Sequence, residues 1–469
     1  MLQNRKNKKN CYFLSPGFIA FCIFFIMVFL FSSTVSGNAD FQSFTLACPF
    51  YSVSDTVPGA AFLTLWESGT PVGEAITGIL VTEATYEMLS AHFQTRSAEG
   101  VLILPAEAIR NILSDPRGTR CAVVPTDELL PNWKRVAVDD QPAPWDKDYR
   151  PAADFLSVPR AGAANFDSGK VTSVLITGTT ALTRTTAYKM FVNGMTYPGE
   201  AVAEVFAKAD LRHVSNESAF WSLCPEPVYS AATMQFCSPL DLFQYLGVNV
   251  VELTGNHLRD YDWPPLLETL DLLAAKGFGF YGAGRTVEEA ALPYLVTHNQ
   301  NRFAFVGCNV AGPDHVFVSE TLPGVRQCDF DTLSRQIRDL TDRGYLVIAT
   351  IQYYERYSRL PSEQQITDFN RLADAGAVVV TGSQAHYPQI MEPGETRFIH
   401  YGLGNLFFDQ MDRPVAGTRQ EFLDKFIFYD GRLLQVELIT ALLYDYAQPR
   451  LMLPEEREAF LKDVFSYAE

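Results

Sequence analysis

Residues 250–293 read VVELTGNHLRDYDWPPLLETLDLLAAKGFGFYGAGRTVEEAALP, and this stretch decides the fold. Its opening apolar run breaks at Gly255-Asn256-His257. That places an amide and an imidazole at the end of a buried strand, where α/β proteins set their chemistry. The run PPLLETLDLLAAKG that follows carries apolar residues at helical spacing and ends in Gly277, which can serve as a C′ residue. Gly282-Ala283-Gly284-Arg285 is a turn, because it follows a helix instead of linking a strand to one as a dinucleotide fingerprint does.

Outward from this stretch the same alternation repeats from Val171 on. VTSVLITG, FAFVGCNV, LVIATIQYY, AVVVTGS and FIHYGLGNL are further strand candidates; EAVAEVFAKAD, DTLSRQIRDLTDRG and SEQQITDFNRLADAG are further helices. Such alternation predicts an α/β layer fold with parallel strand pairing. KFIFYDGRLLQVELI adds a hairpin turning at Asp430-Gly431, and PEEREAFLKDVFSYA closes the domain as a helix. Upstream, AAFLTLW, EATYEMLSAHFQTRS, VLILP and CAVVP make residues 40–150 a small α/β domain. Residues 151–169, rich in Pro, Ala and Asp without apolar periodicity, are expected to be a linker or crossing loop before a second domain over 170–469.

With 469 residues, 47% of them apolar and 19% charged, the chain can bury more than one core. Its 37 basic and 54 acidic residues give a net charge of −17, which argues against nucleic acid as a partner. Residues 1–10 form a basic segment with Arg5, Lys6, Lys8 and Lys9, and residues 11–39 carry no charge. Residues 11–33 are therefore expected to be a transmembrane signal-anchor, with a cytoplasmic N-terminus and the bulk of the chain outside a cell membrane. A cleaved signal peptide competes, although an apolar block of about 20 residues exceeds the usual h-region. Six cysteines follow the span, which an oxidising compartment permits to pair. Short loops favour Cys224–Cys237 and Cys308–Cys328, leaving Cys48–Cys121; other pairings and buried thiols stay open. Nucleophilic catalysis lacks a motif, since no Gly-x-Ser-x-Gly elbow occurs.

The polar residues that close the strand candidates resemble, in order, the motifs of the CapA family of bacterial capsule-synthesis proteins, relatives of the calcineurin-like metallophosphoesterases. The resemblance covers residues 171 to about 450. Gly178 to Arg184 stands where the family has Gly-Asp, an apolar pair and Arg, so Thr179 occupies the place of a metal-binding Asp. Ser215-Asn216-Glu217 resembles an Asn-Leu-Glu element, and Asn256-His257 matches an Asn-His pair. Gln352 to Tyr357 replaces His-Trp-Gly-x-Glu-Tyr, keeping Glu355 but putting Gln352 in place of a ligand His. Gly382-Ser383-Gln384-Ala385-His386 replaces Gly-His-His-Pro-His and keeps the last imidazole; His400 to Asn405 corresponds to Tyr-Ser-Leu-Gly-Asn.

The resemblance implies a four-layer metallophosphoesterase-like sandwich of two sheets flanked by helices. It implies catalytic roles for His257, Glu217, Arg184 and His386, and binding roles for Thr179, Asn216, Gln352, Glu355, Ser383, Gln384 and Asn405. Asn256, Glu217 and His386 are the remaining candidate metal ligands, enough for at most one weakly held manganese, magnesium or zinc ion, or for none. A two-metal site needs several carboxylates or imidazoles and a bridging group. The implied function is assistance in synthesis, attachment or export of a capsular polymer such as poly-γ-glutamate. A divalent-metal phosphoesterase, acting as hydrolase or transferase, and a non-catalytic extracellular ligand-binding module are the rivals.

Overall fold

The alternation from Val171 onward builds two sheets that share one core. In the first, Gly279–Tyr281, Val250–Glu252, Leu211–Asn216 and Val171–Thr180 run parallel, and Gln420–Tyr429, Arg432–Tyr444 and Gln448–Leu451 continue it antiparallel. In the second, Asn301–Asn309, Leu346–Gln352, Ala377–Ser383 and Phe398–His400 run parallel, with Tyr294–His298 and Met391–Pro393 antiparallel at the edges. The computed structural model describes residues 40–468 apart from 74, 96–97, 161, 230–236 and 239, and of 237–238 the backbone alone. The expected anchor over 11–33 lies outside the described residues, among which no helix is long and apolar enough to cross a membrane.

Strand periodicity sets the layers. Val174, Ile176 and Val250 join a core with Phe303, Phe305 and Ile348 of the second sheet. Their neighbours Leu175 and Val251 face the other way, into a core with Leu266, Leu270 and Leu273 of the helix Trp263–Lys276. Each of those leucines is fully buried, a contribution of about 1.5–3 kcal/mol apiece. The helices Phe330–Asp342 and Glu363–Asp374 pack on the second sheet through Leu333, Ile337, Phe369 and Leu372. The molecule is thus a mixed α/β protein with several sheets.

Local chemistry explains the boundaries. Gly277 closes its helix at φ 78°, and Ser362 caps Glu363–Asp374 by accepting from the Gln365 amide. Asp430 and Gly431 both have positive φ, the two-residue turn that a right-twisted hairpin requires. The expected helix at EAVAEVFAKAD shortens to Ala203–Ala207, and the strand Leu211–Asn216, absent from the strand candidates, follows it.

The N-terminal domain is a seven-stranded mixed sheet carrying the helices Gly59–Ser68, Glu83–Phe93 and Ala106–Leu113. Within 151–169, Ser157–Arg160 forms a strand that pairs with Asp40–Pro49. Ala47, Leu80 and Trp133 of this domain share a core with Val171, Ile427 and Leu434 of the first large sheet. Val171 begins its strand and Thr180 ends it, so the small domain sits at the end remote from the polar strand termini. The disulfides Cys48–Cys121 and Cys308–Cys328 form as expected. Cys224 is also disulfide-bonded; the side chain of its expected partner, Cys237, lies outside the described residues.

Candidate functional site

Five segments deliver polar residues to one place because their strands run parallel and stop at the same edge. Thr179 and Thr180 end the first strand and pair in register with Ser215 and Asn216 of the next. The Glu217 amide donates to the Thr180 carbonyl at 2.8 Å, and the His257 amide donates to the Glu217 carbonyl at 3.2 Å. Gly255 permits this approach: a Cβ there would lie 2.4 Å from the Glu217 Cα. Gly178 does the same on the other side, where a Cβ would lie 2.2 Å from the Gly404 carbonyl oxygen. These two glycines bring the Asn256-His257 and Asn405 loops against the strand ends.

A chain of amides crosses the gap between the sheets. Gln352 Nε2 donates to Asn256 Oδ1 at 2.7 Å and to Gln384 Oε1 at 2.6 Å. The Gln384 amide donates to Thr179 Oγ1 at 3.1 Å. His386 Nδ1 lies 2.7 Å from Asn405 Oδ1, and Asn405 Nδ2 donates to the Thr418 carbonyl at 3.2 Å. Gln384 and His386 hold left-handed backbones at φ 73° and 49°, an unfavourable state for side-chain-bearing residues and one found most often at functional sites.

The charged residues stand around this chain. Arg184, with φ 51° at the start of its helix, pairs with Asp409 and stacks over Phe408. Asp409 also accepts from the Thr185 amide at 3.1 Å. His257 Nδ1 lies 2.7 Å from Asp260. Burial opposes charge on His257, but the hydrogen bond to Asp260 and the charges of Glu217 and Asp260 outweigh burial and the Arg184 field, so its pKa is raised above 6.5. Glu355 is exposed and accepts from the Tyr357 hydroxyl; that ring stacks on His386 with centroids 6.5 Å apart. Burial, then the bond to Glu355, pushes the Tyr357 pKa up.

Several buried atoms at this edge are left open. Glu217 is 2% exposed, yet neither carboxylate oxygen has a hydrogen-bond partner among the described residues. Thr180 Oγ1, Asn216 Oδ1 and Ser383 Oγ share that condition. A buried acceptor without a donor costs about 1–3 kcal/mol, so four such residues at one strand edge carry a cost that the packing around them does not offset. Asp260, Tyr357 and Asp409 were not among the sequence candidates. The spacing of Asp260 three residues after His257 and of Asp409 four after Asn405 was the available signal.

The donor set does not fit a two-metal centre. Thr179 brings a hydroxyl already engaged by the Gln384 amide, and Asn256 Oδ1 is engaged by Gln352. His386 turns Nδ1 to Asn405. Among the described residues no group of three or more His, Cys, Asp or Glu stands ready to hold an ion. Hard divalent ions need a shell of such oxygen or imidazole donors, and a neutral Thr179 hydroxyl is a poor bridge between two of them.

The curated relatives include the capsule biosynthesis protein CapA of Bacillus anthracis, 27% identical over 168 residues, 35% of this chain and 41% of that protein. The PGA biosynthesis protein CapA of Bacillus subtilis is 25% identical over 170 residues, 35% of this chain and 44% of the relative. A probable polyglutamine synthesis accessory protein of Mycobacterium tuberculosis is 27% identical over 176 residues, covering 46% of its length. The chain therefore aligns with less than half the length of each. Among solved structures, a 5'-nucleotidase precursor from Thermus thermophilus aligns with 63% of this chain and 58% of its own at 15% identity and TM-score 0.36. The NAD nucleotidase of Haemophilus influenzae aligns with 64% and 57% at 11% identity and TM-score 0.36. The model of the bacterial capsule synthesis protein PGA_cap matches residues 173–410, half of the chain and every site residue above except Thr418, and the protein belongs to that family.

Proposed function

We propose that the protein is a membrane-anchored, extracytoplasmic accessory factor that binds a capsular polymer of the poly-γ-glutamate type during its synthesis, attachment or export. Residues 11–33 would hold it to the membrane. In this reading the domain over 170–469 is a metallophosphoesterase-like sandwich whose metal positions have become hydrogen-bonding ones. The observation that carries the reading is the hydrogen-bonded chain from Asn256 through Gln352 and Gln384 to Thr179, which runs through positions where the family resemblance implies metal ligands. A γ-linked glutamate polymer offers an amide N–H at every repeat. Glu217 and Asn216 Oδ1 are open acceptors for such donors, and the hydroxyls of Thr180 and Ser383 serve either way. A matched donor removes the penalty that each buried acceptor now bears.

Isothermal titration of the full chain with a γ-glutamyl oligomer tests this. Binding is expected to persist in chelator, with Glu217→Gln and Gln352→Ala each weakening it about tenfold, a difference near 1.4 kcal/mol. Binding that vanishes in chelator, or that ignores both substitutions, overturns the reading. A divalent-metal phosphoesterase is the second reading, favoured by the two open oxygens of Glu217 beside His257. It requires stoichiometric bound metal and metal-dependent phosphodiester hydrolysis by the same preparation.

A further inference from the structure

A lysine, an aspartate and a glutamate meet in the seam between the N-terminal domain and the first large sheet. Lys425 Nζ lies 3.1 Å from Asp146 Oδ1 and 3.1 Å from Glu437 Oε2, and the lysine side chain is 7% exposed. The paired strands Gln420–Tyr429 and Arg432–Tyr444 set Lys425 directly opposite Glu437. Asp146 reaches it from the N-terminal side of the seam, 279 residues away in sequence. Its neighbour Trp145 shares an apolar cluster with Ala143, Trp133, Ile427 and Leu434. Ile427, two residues along the strand, projects on the same face as Lys425.

Each carboxylate is held in one orientation. Glu437 Oε1 accepts from Trp145 Nε1 at 2.7 Å, which turns Oε2 to the lysine. Asp146 Oδ2 accepts from the Ala143 amide at 2.8 Å, which turns Oδ1 to it. The amine nitrogen thus touches the carboxyl group it would attack, and the Ala143 amide stands where negative charge on Oδ2 would develop. Burial opposes the charge of Lys425, but the charges of Glu437 and Asp146 and their hydrogen bonds outweigh it, so its pKa is raised and the resting site is an ion pair. A buried ion pair bears a desolvation cost. Condensing Lys425 with Asp146 removes one such pair and leaves Glu437 beside Arg135, whose charge it supports against burial.

We propose that Lys425 and Asp146 form an intramolecular isopeptide bond, with Glu437 as the proton relay. Lys425 Nζ passes a proton to Glu437 Oε2 and attacks Asp146 Cγ; the C–N bond forms and the bond from Cγ to Oδ1 breaks. Glu437 hands that proton, and the second that the nitrogen sheds, to the departing oxygen, which leaves as water into the adjoining cleft that Asp146 lines. Ammonium and carboxylate give amide and water, so the balance needs no oxidant, reductant or activating nucleotide. The bond clamps the N-terminal domain to the sheet, and it is independent of the function proposed for the strand-end site. Tryptic mapping of the reduced full chain tests it. The expected product is a branched peptide joining residues 136–147 to 420–432, lighter than the two together by one water, about 18 Da. Lys425→Arg keeps the charge but cannot form this bond, so it should remove the branched peptide and lower the thermal midpoint. Glu437→Gln should slow linkage at least about tenfold by removing the relay. Separate, unmodified peptides from the wild-type chain would overturn the proposal and leave an ordinary ion pair. So would a branched peptide that survives Lys425→Arg, or one that forms as fast in Glu437→Gln.

Discussion

Two buried polar regions lie one above the other in this sandwich, and they are finished differently. In the deeper one, His213 Nε2 lies 2.8 Å from the Tyr281 hydroxyl, which lies 2.8 Å from Thr350 Oγ1, while Glu252 accepts from Thr254. Of those side chains only His213 Nδ1 is without a partner among the described residues. At the strand ends above, Thr180, Asn216, Glu217 and Ser383 all leave polar atoms open. Depth alone does not explain this, since Glu217 and Glu252 are 2% and 1% exposed. The lower set is closed across the two sheets, and the upper set leaves polar atoms open, as the proposed binding function requires.

The largest expected effect comes from the closed region in acid. Burial holds the His213 pKa down to about 3, so the folded state keeps it neutral while the unfolded chain protonates near 6.5. Its contribution is present above 6.5 and is lost as pH falls toward 3, a change on the order of 4 kcal/mol. Urea unfolding at pH 7 and pH 4 should show that loss, and His213→Asn should flatten it. An unchanged acid limb in the variant would break the distinction between the two regions.

Next comes the backbone contact that shapes the open region. Gly255→Ala should destabilise the protein by about 1–3 kcal/mol, because its Cβ must displace the Glu217 backbone, and ligand binding should fall with it. Glu217→Gln should leave stability nearly unchanged while weakening binding, because it removes a buried carboxylate without hydrogen bonds and, with it, the charge that favours protonated His257. Glu252→Gln, in the closed region, should only destabilise.

The smallest effect is the basic limb. His257 is raised above 6.5 in the fold, so its contribution is fully present below 6.5 and is lost as pH rises through the folded pKa. Stability should therefore decline modestly above neutrality, and Asp260→Asn should remove most of that slope. His213 thus penalises acid and His257 penalises base.

Much of the fold was legible because hydrophobic periodicity wrote it. The runs around Val174, Val250, Ile348 and Val379 are buried on both faces and read as strands without help. Leu211–Asn216 was invisible for a physical reason: Arg212, His213 and Ser215 interrupt its apolar run, and His213 and Ser215 are buried by hydrogen bonding and by packing against polar neighbours. In the site, Asn256 and His257 could be found because they break an apolar run, and Gln352, Gln384 and His386 through the resemblance of the motifs that follow the later strands. Asp409 and Asp260 could not, since an acidic residue in a loop shows its role only when a partner such as Arg184 or His257 comes beside it. The open state of Glu217 is likewise a property of three dimensions.

The central claim is that the strand-end site recognises its ligand by hydrogen bonds in place of metal. Anomalous scattering from crystals grown in excess manganese tests it most directly. The account predicts no ordered ion in coordination range of Glu217, Asn256 or His386. A pair of manganese peaks bridged at Thr179, or one fully occupied ion held by Glu217, would contradict it.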